Sequence, residues 1–133
     1  MKLALLLFIP VFSAAAEISV VVHPSNQANI DAASIEKIFT GKLKAFDDGA
    51  KATPVRLLES HAASEEFNTK VLNKSSSQLK AYWSKLVFTG KGTPPKEFDS
   101  EEELLKQVAS NPDFIGFVSS AKVTADVKVI QTF

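Results

Sequence analysis

The sequence predicts an α/β sandwich, in which helices pack on a mixed or mainly parallel sheet. Short apolar and β-branched runs alternate along the chain with segments whose apolar residues recur at helical spacing. Clusters of Pro, Gly, Asn and Asp separate these segments, as expected for turns. Of the 133 residues, those from 17 to 133 suit one domain that buries a single core.

Residues 1–16 have the order of a cleavable signal peptide. A positive start at Lys2 is followed by an apolar run over residues 3–12 and then by small residues up to Ala16. This pattern predicts cleavage before Glu17 and a protein that is periplasmic or otherwise secreted. The alternative, a membrane anchor, is disfavoured because the apolar run is shorter than the roughly 20 residues that a spanning helix needs.

Composition excludes several classes of function. The chain has no cysteine, so thiol chemistry, disulfides and Cys-based metal sites are excluded. Its formal net charge is +0, which gives no basic footprint for nucleic acid or for an anionic membrane. His23 and His61 are far apart in sequence, and their spacing does not indicate a metal site. We therefore expect no cofactor and no metal.

Strands and helices follow from local patterns. Four runs are typical of buried strands, namely residues 18–23, 54–58, 114–118 and 127–130. Four polar residues are placed as N-caps of helices: Asp31, Ser60, Ser75 and Ser100. Three residues are placed to end helices: Gly41, Asn73 and Asn111. The order of these elements supports the α/β class.

The helix after Ser75 has the clearest apolar face, which consists of Leu79, Tyr82, Trp83, Leu86 and Val87. An aromatic stripe at helical spacing is more often core than a ligand-stacking surface. We therefore predict one shared core whose members include Phe39, Phe67, Trp83, Leu86 and Val118.

A short internal echo relates residues 38–42 to residues 87–91, where Phe-Thr-Gly-Lys occurs twice. Both copies lie where a helix is predicted to end. A glycine cap followed by lysine near a helix C-terminus explains the echo without an internal repeat.

Arg56 and the residues that follow it form the candidate site. A strand-borne arginine, the hydroxyl of Ser60 and the free amides from His61 to Ala63 would converge on an oxyanion at a helix N-terminus. The simpler alternative is that Ser60 only caps the helix and Arg56 pairs with a surface carboxylate. Catalysis by His61 with Ser60 and Ser64 is disfavoured, because neighbours in the first turn of a helix do not face each other. We expect a protein that is not an enzyme.

These motifs resemble the phosphate-binding proteins of periplasmic ABC transporters. The resemblance covers nearly the whole chain after residue 16, through residues 35–42, Pro54-Val55-Arg56, Ser60, Phe67, the Trp83 helix and residues 115–118. It also extends to short, single-lobe proteins that are usually named as phosphate-transport substrate-binding components. It implies a single lobe of a type II periplasmic-binding-protein-like fold, with a mixed sheet flanked by helices.

The resemblance implies an oxyanion site at Arg56, Ser60, His61, Ala62 and Ser64. Arg56 and Ser60 match the family's anion-binding arginine and turn serine. His61 and Ala62 replace the glycine and threonine of the family's turn, and Leu58 replaces its aspartate. One lobe alone leaves a bound oxyanion half exposed to water, where charge-assisted hydrogen bonds are weaker.

Two functions follow from this resemblance. The first is an exported solute-binding protein for phosphate or a related oxyanion, or an accessory to phosphate uptake by an ABC transporter. The second is a periplasmic protein-interaction module that has lost its ligand and contacts an envelope partner. Arg56 with Ser60 favours the first function, and the altered turn at His61 and Ala62 favours the second.

Overall fold

The computed structural model describes residues 17–133, and the predicted signal peptide lies outside the described residues. The strands are β1 (Ile18–Val22), β2 (Thr53–Leu57), β3 (Lys96–Phe98), β4 (Phe114–Ser119) and β5 (Lys128–Thr132). The helices are α1 (Ala32–Phe39), α2 (Ala62–Phe67), α3 (Ser76–Phe88) and α4 (Glu101–Ser110). A π-helical segment, Asn68–Leu72, continues α2, and a 3₁₀ turn, Ser120–Lys122, follows β4.

The five strands form one mixed sheet in the order β3-β2-β4-β1-β5. Strand β2 pairs in parallel with β3 and β4, whereas β1 pairs antiparallel with β4 and β5. The α/β class and the mixed sheet are confirmed, as are all four predicted strands. The fifth strand, β3, was missed because its three residues, Lys-Glu-Phe, have no β-branched run to mark them.

Most of the predicted helix ends are confirmed by their hydrogen bonds. The Asp31 carboxylate accepts from the amide of Ser34 at the start of α1. Ser75 and Gln78 form a reciprocal capping box at the start of α3. The π-helical segment ends at Asn73, whose φ of 53° lies in the left-handed region that suits a helix stop.

The predicted cap at Ser60 is wrong, because α2 begins one residue later and His61 is its N-cap. The Nδ1 atom of His61 accepts from the amide of Ala63 at 3.1 Å. An imidazole nitrogen with a free lone pair is therefore the hydrogen-bond acceptor at this cap, in place of the serine hydroxyl. Ser60 remains exposed.

The predicted core is confirmed. Phe39, Phe67 and Phe117 meet between α1, α2 and β4, where the rings of Phe67 and Phe117 stack with centroids 3.9 Å apart. Trp83 and Val118 are buried in the same core, and Leu86 packs against it.

Val87 does not belong to the core, although its helical position predicted that it would. It is 53% exposed because it borders open clefts on both sides of the last turn of α3. Its neighbour Phe88 is 92% exposed. Within residues 17–133, no helix combines the length and apolar character that crossing a bilayer requires.

Candidate functional site

Arg56 lies near the end of β2 and is only 2% exposed. Its guanidinium carbon is 5.6 Å from the centre of the Phe117 ring, within the range of a cation–π interaction. Its Nη2 atom donates to the side-chain oxygen of Asn68 at 2.8 Å and forms an ion pair with Glu59 at 2.9 Å. The arginine is therefore held between the sheet and the segment that follows α2.

Glu59 and Asn68 complete a closed triad with Arg56. One carboxylate oxygen of Glu59 contacts the arginine, and the other accepts from the side-chain nitrogen of Asn68 at 3.1 Å. Sequence reasoning anticipated a carboxylate partner for Arg56 only as the simpler alternative, and it missed both partner residues. The available signal for Asn68 was its position four residues after Ser64, which places both polar side chains on one inward helix face.

The Nη1 atom of Arg56 is buried and has no hydrogen-bond partner among residues 17–133. A buried donor without an acceptor lowers the stability of the fold, and the penalty is larger when the donor belongs to a charged group than to a neutral one. Burial lowers the pKa of Arg56 below its ordinary value, whereas the carboxylates of Glu59 and Glu97 act in the opposite direction. The guanidinium stays charged, because an arginine in a protein does not lose its proton.

The other predicted site residues have structural contacts of their own. The Ser64 hydroxyl is buried and donates to the carbonyls of Leu57 and Leu58, at 3.0 and 2.7 Å. It therefore ties α2 to the end of β2. The Nδ1 atom of His61 is occupied by the cap of α2, and its Nε2 atom lies 3.6 Å from a carboxylate oxygen of Glu101.

The turn between β2 and α2 has unused donors. Among residues 17–133, the amides of Ser60 and Ala62 donate to no protein acceptor, and the Ser60 hydroxyl makes no hydrogen bond. The structure thus brings Arg56, His61 and Ser64 together around one turn. Arg56 and Ser64 are buried, whereas Ser60 on the turn is exposed to solvent. In the described part of the chain, no group of three His, Asp or Glu side chains is placed to hold a metal ion.

Carboxylates surround this turn. Glu59 lies against Arg56, and Glu101 is buried beside His61, with its other oxygen accepting from the amide of Ser119 at 2.7 Å. An anion that approaches the turn therefore meets negative charge as well as free amides. Binding there requires that the Glu59 carboxylate move away.

Solved structures similar to this chain are phosphate-transport proteins. A candidate phosphate ABC transporter substrate-binding protein from Clostridium perfringens, solved with bound phosphate, matches 87% of the chain with a TM-score of 0.65 at 16% identity. PstS from Borrelia burgdorferi matches 86% with a TM-score of 0.64 at 14% identity. An ABC-type phosphate transport receptor from Vibrio cholerae matches 87% with a TM-score of 0.57 at 19% identity.

These likenesses concern the fold. The chain matches no family model and no curated protein. It spans 45%, 47% and 46% of the three solved chains, respectively, which is less than half of each. With its five-stranded mixed sheet flanked by helices, the chain has the fold of a single lobe of a periplasmic binding protein.

Proposed function

We propose that this protein is an exported oxyanion-binding component of phosphate uptake, and that the anion binds at Arg56 and the turn formed by residues 59–62. The fold of the solved phosphate-transport proteins supports this proposal. The proposed cellular partner is an ABC transporter or another envelope protein. The proposed location, periplasmic or secreted, rests on the signal-peptide pattern of residues 1–16.

The observation that carries the proposal is the position of the Glu59 carboxylate. Its two oxygens bind Arg56 and Asn68 as two oxygens of a phosphate or sulfate would. The Glu59 carboxylate therefore occupies the positions that a bound oxyanion would take. Its side chain is 40% exposed and lies on a turn, so it is able to rotate into water and be replaced.

A free oxyanion that displaces the Glu59 carboxylate would accept hydrogen bonds from donors that now have no protein acceptor. The anion would keep the contacts to Arg56 and Asn68 and gain the amide and the hydroxyl of Ser60. It would also leave the carboxylate of Glu59 solvated. The cost is competition with an internal carboxylate that is always present at the site, so we expect weak binding by the parent protein.

Calorimetric titration of residues 17–133 with phosphate and with sulfate tests the proposal. We expect Glu59→Ala to bind either anion more tightly than the parent, because the internal competitor is gone. Its melting temperature, lowered by the loss of the ion pair, should rise with added anion. Glu66→Ala is the matched control, because Glu66 also has a side-chain exposure of 40% and pairs with Lys70 one turn along the same helical stretch.

Two further variants test the roles of individual residues. Arg56→Lys should weaken binding although the charge is kept, because lysine lacks the planar pair of donors. The double change His61→Gly and Ala62→Thr should strengthen binding by opening the backbone and adding a hydroxyl. If neither Glu59→Ala nor this double variant binds phosphate or sulfate at millimolar concentration while still folded, the oxyanion proposal is wrong.

A protein-interaction module is the second candidate function. The observation that favours it is the closed Arg56, Glu59 and Asn68 triad, in which the arginine is paired and buried without any ligand. Such a triad serves the fold by itself. The same titrations separate the two functions, because a pure interaction module gains no anion affinity when Glu59 is removed.

A further inference from the structure

A basic cleft lies at the opposite end of β2 from the Arg56 turn. It has a volume of about 980 Å³ and is bordered by the start of β2 and by the loops that follow α1 and α3. Four lysines line it, namely Lys42, Lys44, Lys51 and Lys91, and the lining contains no Asp or Glu. Because the whole chain has a formal net charge of +0, this concentration of positive charge is local.

The two copies of the Phe-Thr-Gly-Lys echo meet at this cleft. In each copy the glycine adopts a left-handed φ, 78° at Gly41 and 69° at Gly90. In each, the lysine amide donates back to the helix at 2.8 Å, from Lys42 to Lys37 and from Lys91 to Leu86. Each helix therefore ends in a Schellman motif of the same geometry, and the lysine of each motif lies in the lining of the cleft.

The lysines stand on two walls. Lys42, Lys44 and Lys51 belong to the connection between α1 and β2, where the amide of Ala52 donates to the carbonyl of Lys44 at 3.0 Å and brings the two arms of that connection together. Lys91 belongs to the connection between α3 and β3. Positive charge thus faces the cleft from both sides.

None of the four lysines forms an ion pair within residues 17–133. All four are exposed. Unpaired like charges around one cleft repel each other, and this repulsion is relieved when an acidic ligand binds.

The floor of the cleft is apolar. It contains Leu43, Trp83 and Leu86, and Pro94 lies at its rim. Gly41 packs on this floor, since a Cβ at that position would lie 3.3 Å from the indole carbon Cη2 of Trp83. Trp83 is the only tryptophan of the chain and belongs to the lining of this cleft, so its emission senses changes in its surroundings there.

We infer that this cleft binds an acidic peptide segment of a partner protein, with carboxylates on the lysine walls and an apolar or proline side chain on the floor. A free phosphate or sulfate ion fits less well, because the cleft is far larger than such an ion and its floor is apolar. The inference does not depend on oxyanion binding at Arg56.

The test uses residues 17–133 and a fluorescein-labelled peptide in which glutamate pairs alternate with phenylalanine and proline. We expect saturable binding in fluorescence anisotropy, together with a change in the emission of Trp83 in titrations with the unlabelled peptide. Added sodium chloride should weaken the binding, because the lysines are exposed. The double variant Lys42→Glu and Lys91→Glu should weaken it by at least about tenfold, because attraction becomes repulsion on both walls.

The matched control is Lys106→Glu with Lys128→Glu, which makes the same charge change on α4 and β5, away from the cleft lining. It should bind the peptide nearly as well as the parent. The inference is overturned if the parent does not bind the peptide, if both double variants lose binding equally, or if inorganic phosphate displaces the peptide at matched ionic strength. Displacement of the peptide by a second copy of the chain, seen as self-association at low salt, would also overturn it.

Discussion

The hydroxyl of Tyr82 donates a 2.6 Å hydrogen bond to the carbonyl of Thr40. Thr40 is the C-cap of α1, and Tyr82 lies in the middle of α3, so this contact joins the end of α1 to the middle of α3 beside the basic cleft. Thr40 is itself almost fully buried. Its carbonyl therefore has little access to water if the tyrosine hydroxyl is removed.

Tyr82→Phe should lower the free energy of unfolding by about 1 kcal/mol, because a partly buried carbonyl loses its donor. Urea denaturation followed by circular dichroism measures this change. Phe88→Ala is the control on the same helix, and because Phe88 is exposed it should stay within about 0.5 kcal/mol of the parent. Equal effects of the two changes would mean that the hydrogen bond contributes nothing measurable.

Gly116→Ala should destabilise the protein by roughly 1–3 kcal/mol through overpacking. A Cβ at this position would lie 2.9 Å from Leu104 and 3.1 Å from Val55, where α4 covers the sheet. Gly92→Ala is the comparison, since a Cβ there meets Trp83 and Leu86 only at 3.4 and 3.5 Å. A thermal melt that ranks the two variants in the reverse order would contradict this packing.

Trp83→Ala should cost on the order of 3–5 kcal/mol, because it empties a large volume between α3 and the core. Differential scanning calorimetry of the parent and the variant measures the loss. If the variant instead melts with the parent and only loses peptide binding, Trp83 is a binding residue and not a core residue.

Acid should weaken the cap of α1. The amide of Ser34 and its hydroxyl are the main causes that hold the pKa of Asp31 below its ordinary value, with a further contribution from Lys37. Because the folded pKa is the lower one, the carboxylate stabilises the protein above the unfolded pKa, and this contribution disappears as the pH falls through the folded pKa.

Asp31→Asn keeps an acceptor at the cap and removes its titration. Between pH 7 and about pH 3, the urea midpoint of the parent should therefore fall further than that of the variant. Parallel midpoints over this range would show that the Asp31 carboxylate is not a source of the acid sensitivity.

We predict that the protein is exported and that it then begins at Glu17, because small residues with alanine at positions 14 and 16 follow the apolar run directly. Intact-mass measurement of protein recovered from the envelope fraction checks this cleavage. A product that retains Met1 and stays in the membrane would contradict it.

Residues close in sequence made much of the fold predictable. The capping box of Ser75 and Gln78 and the Asp31 cap are contacts that span three residues, and the left-handed stop at Asn73 spans five, so their geometry follows from local chain preferences. The strands β1, β2 and β4 were equally visible, because a buried strand needs a run of apolar side chains, and β5 at the sheet edge was marked by Val129 and Ile130 although none of its residues is buried. The three-residue strand β3 was not predicted, since its pairing with β2 depends on how distant parts of the chain pack together.

The site shows where sequence reasoning stops. The structure places Arg56, His61 and Ser64 around one turn, but sequence spacing did not predict their hydrogen-bond partners. Whether Arg56 would face solvent or Phe117 depends on the register of β2 beside β4, which involves residues about sixty positions apart. Sequence spacing carries no information on that register.

By itself, the sequence determined the α/β class, the helix starts at Asp31, Ser75 and Ser100, the core aromatics and the absence of cysteine chemistry. Only the tertiary structure decided that Arg56 is enclosed by Glu59 and Asn68 and that the two echo segments share one basic cleft. The physical reason is range. Propensities, caps and periodicity act over a few residues, whereas burial, ion pairing and the meeting of distant loops depend on how the whole chain packs.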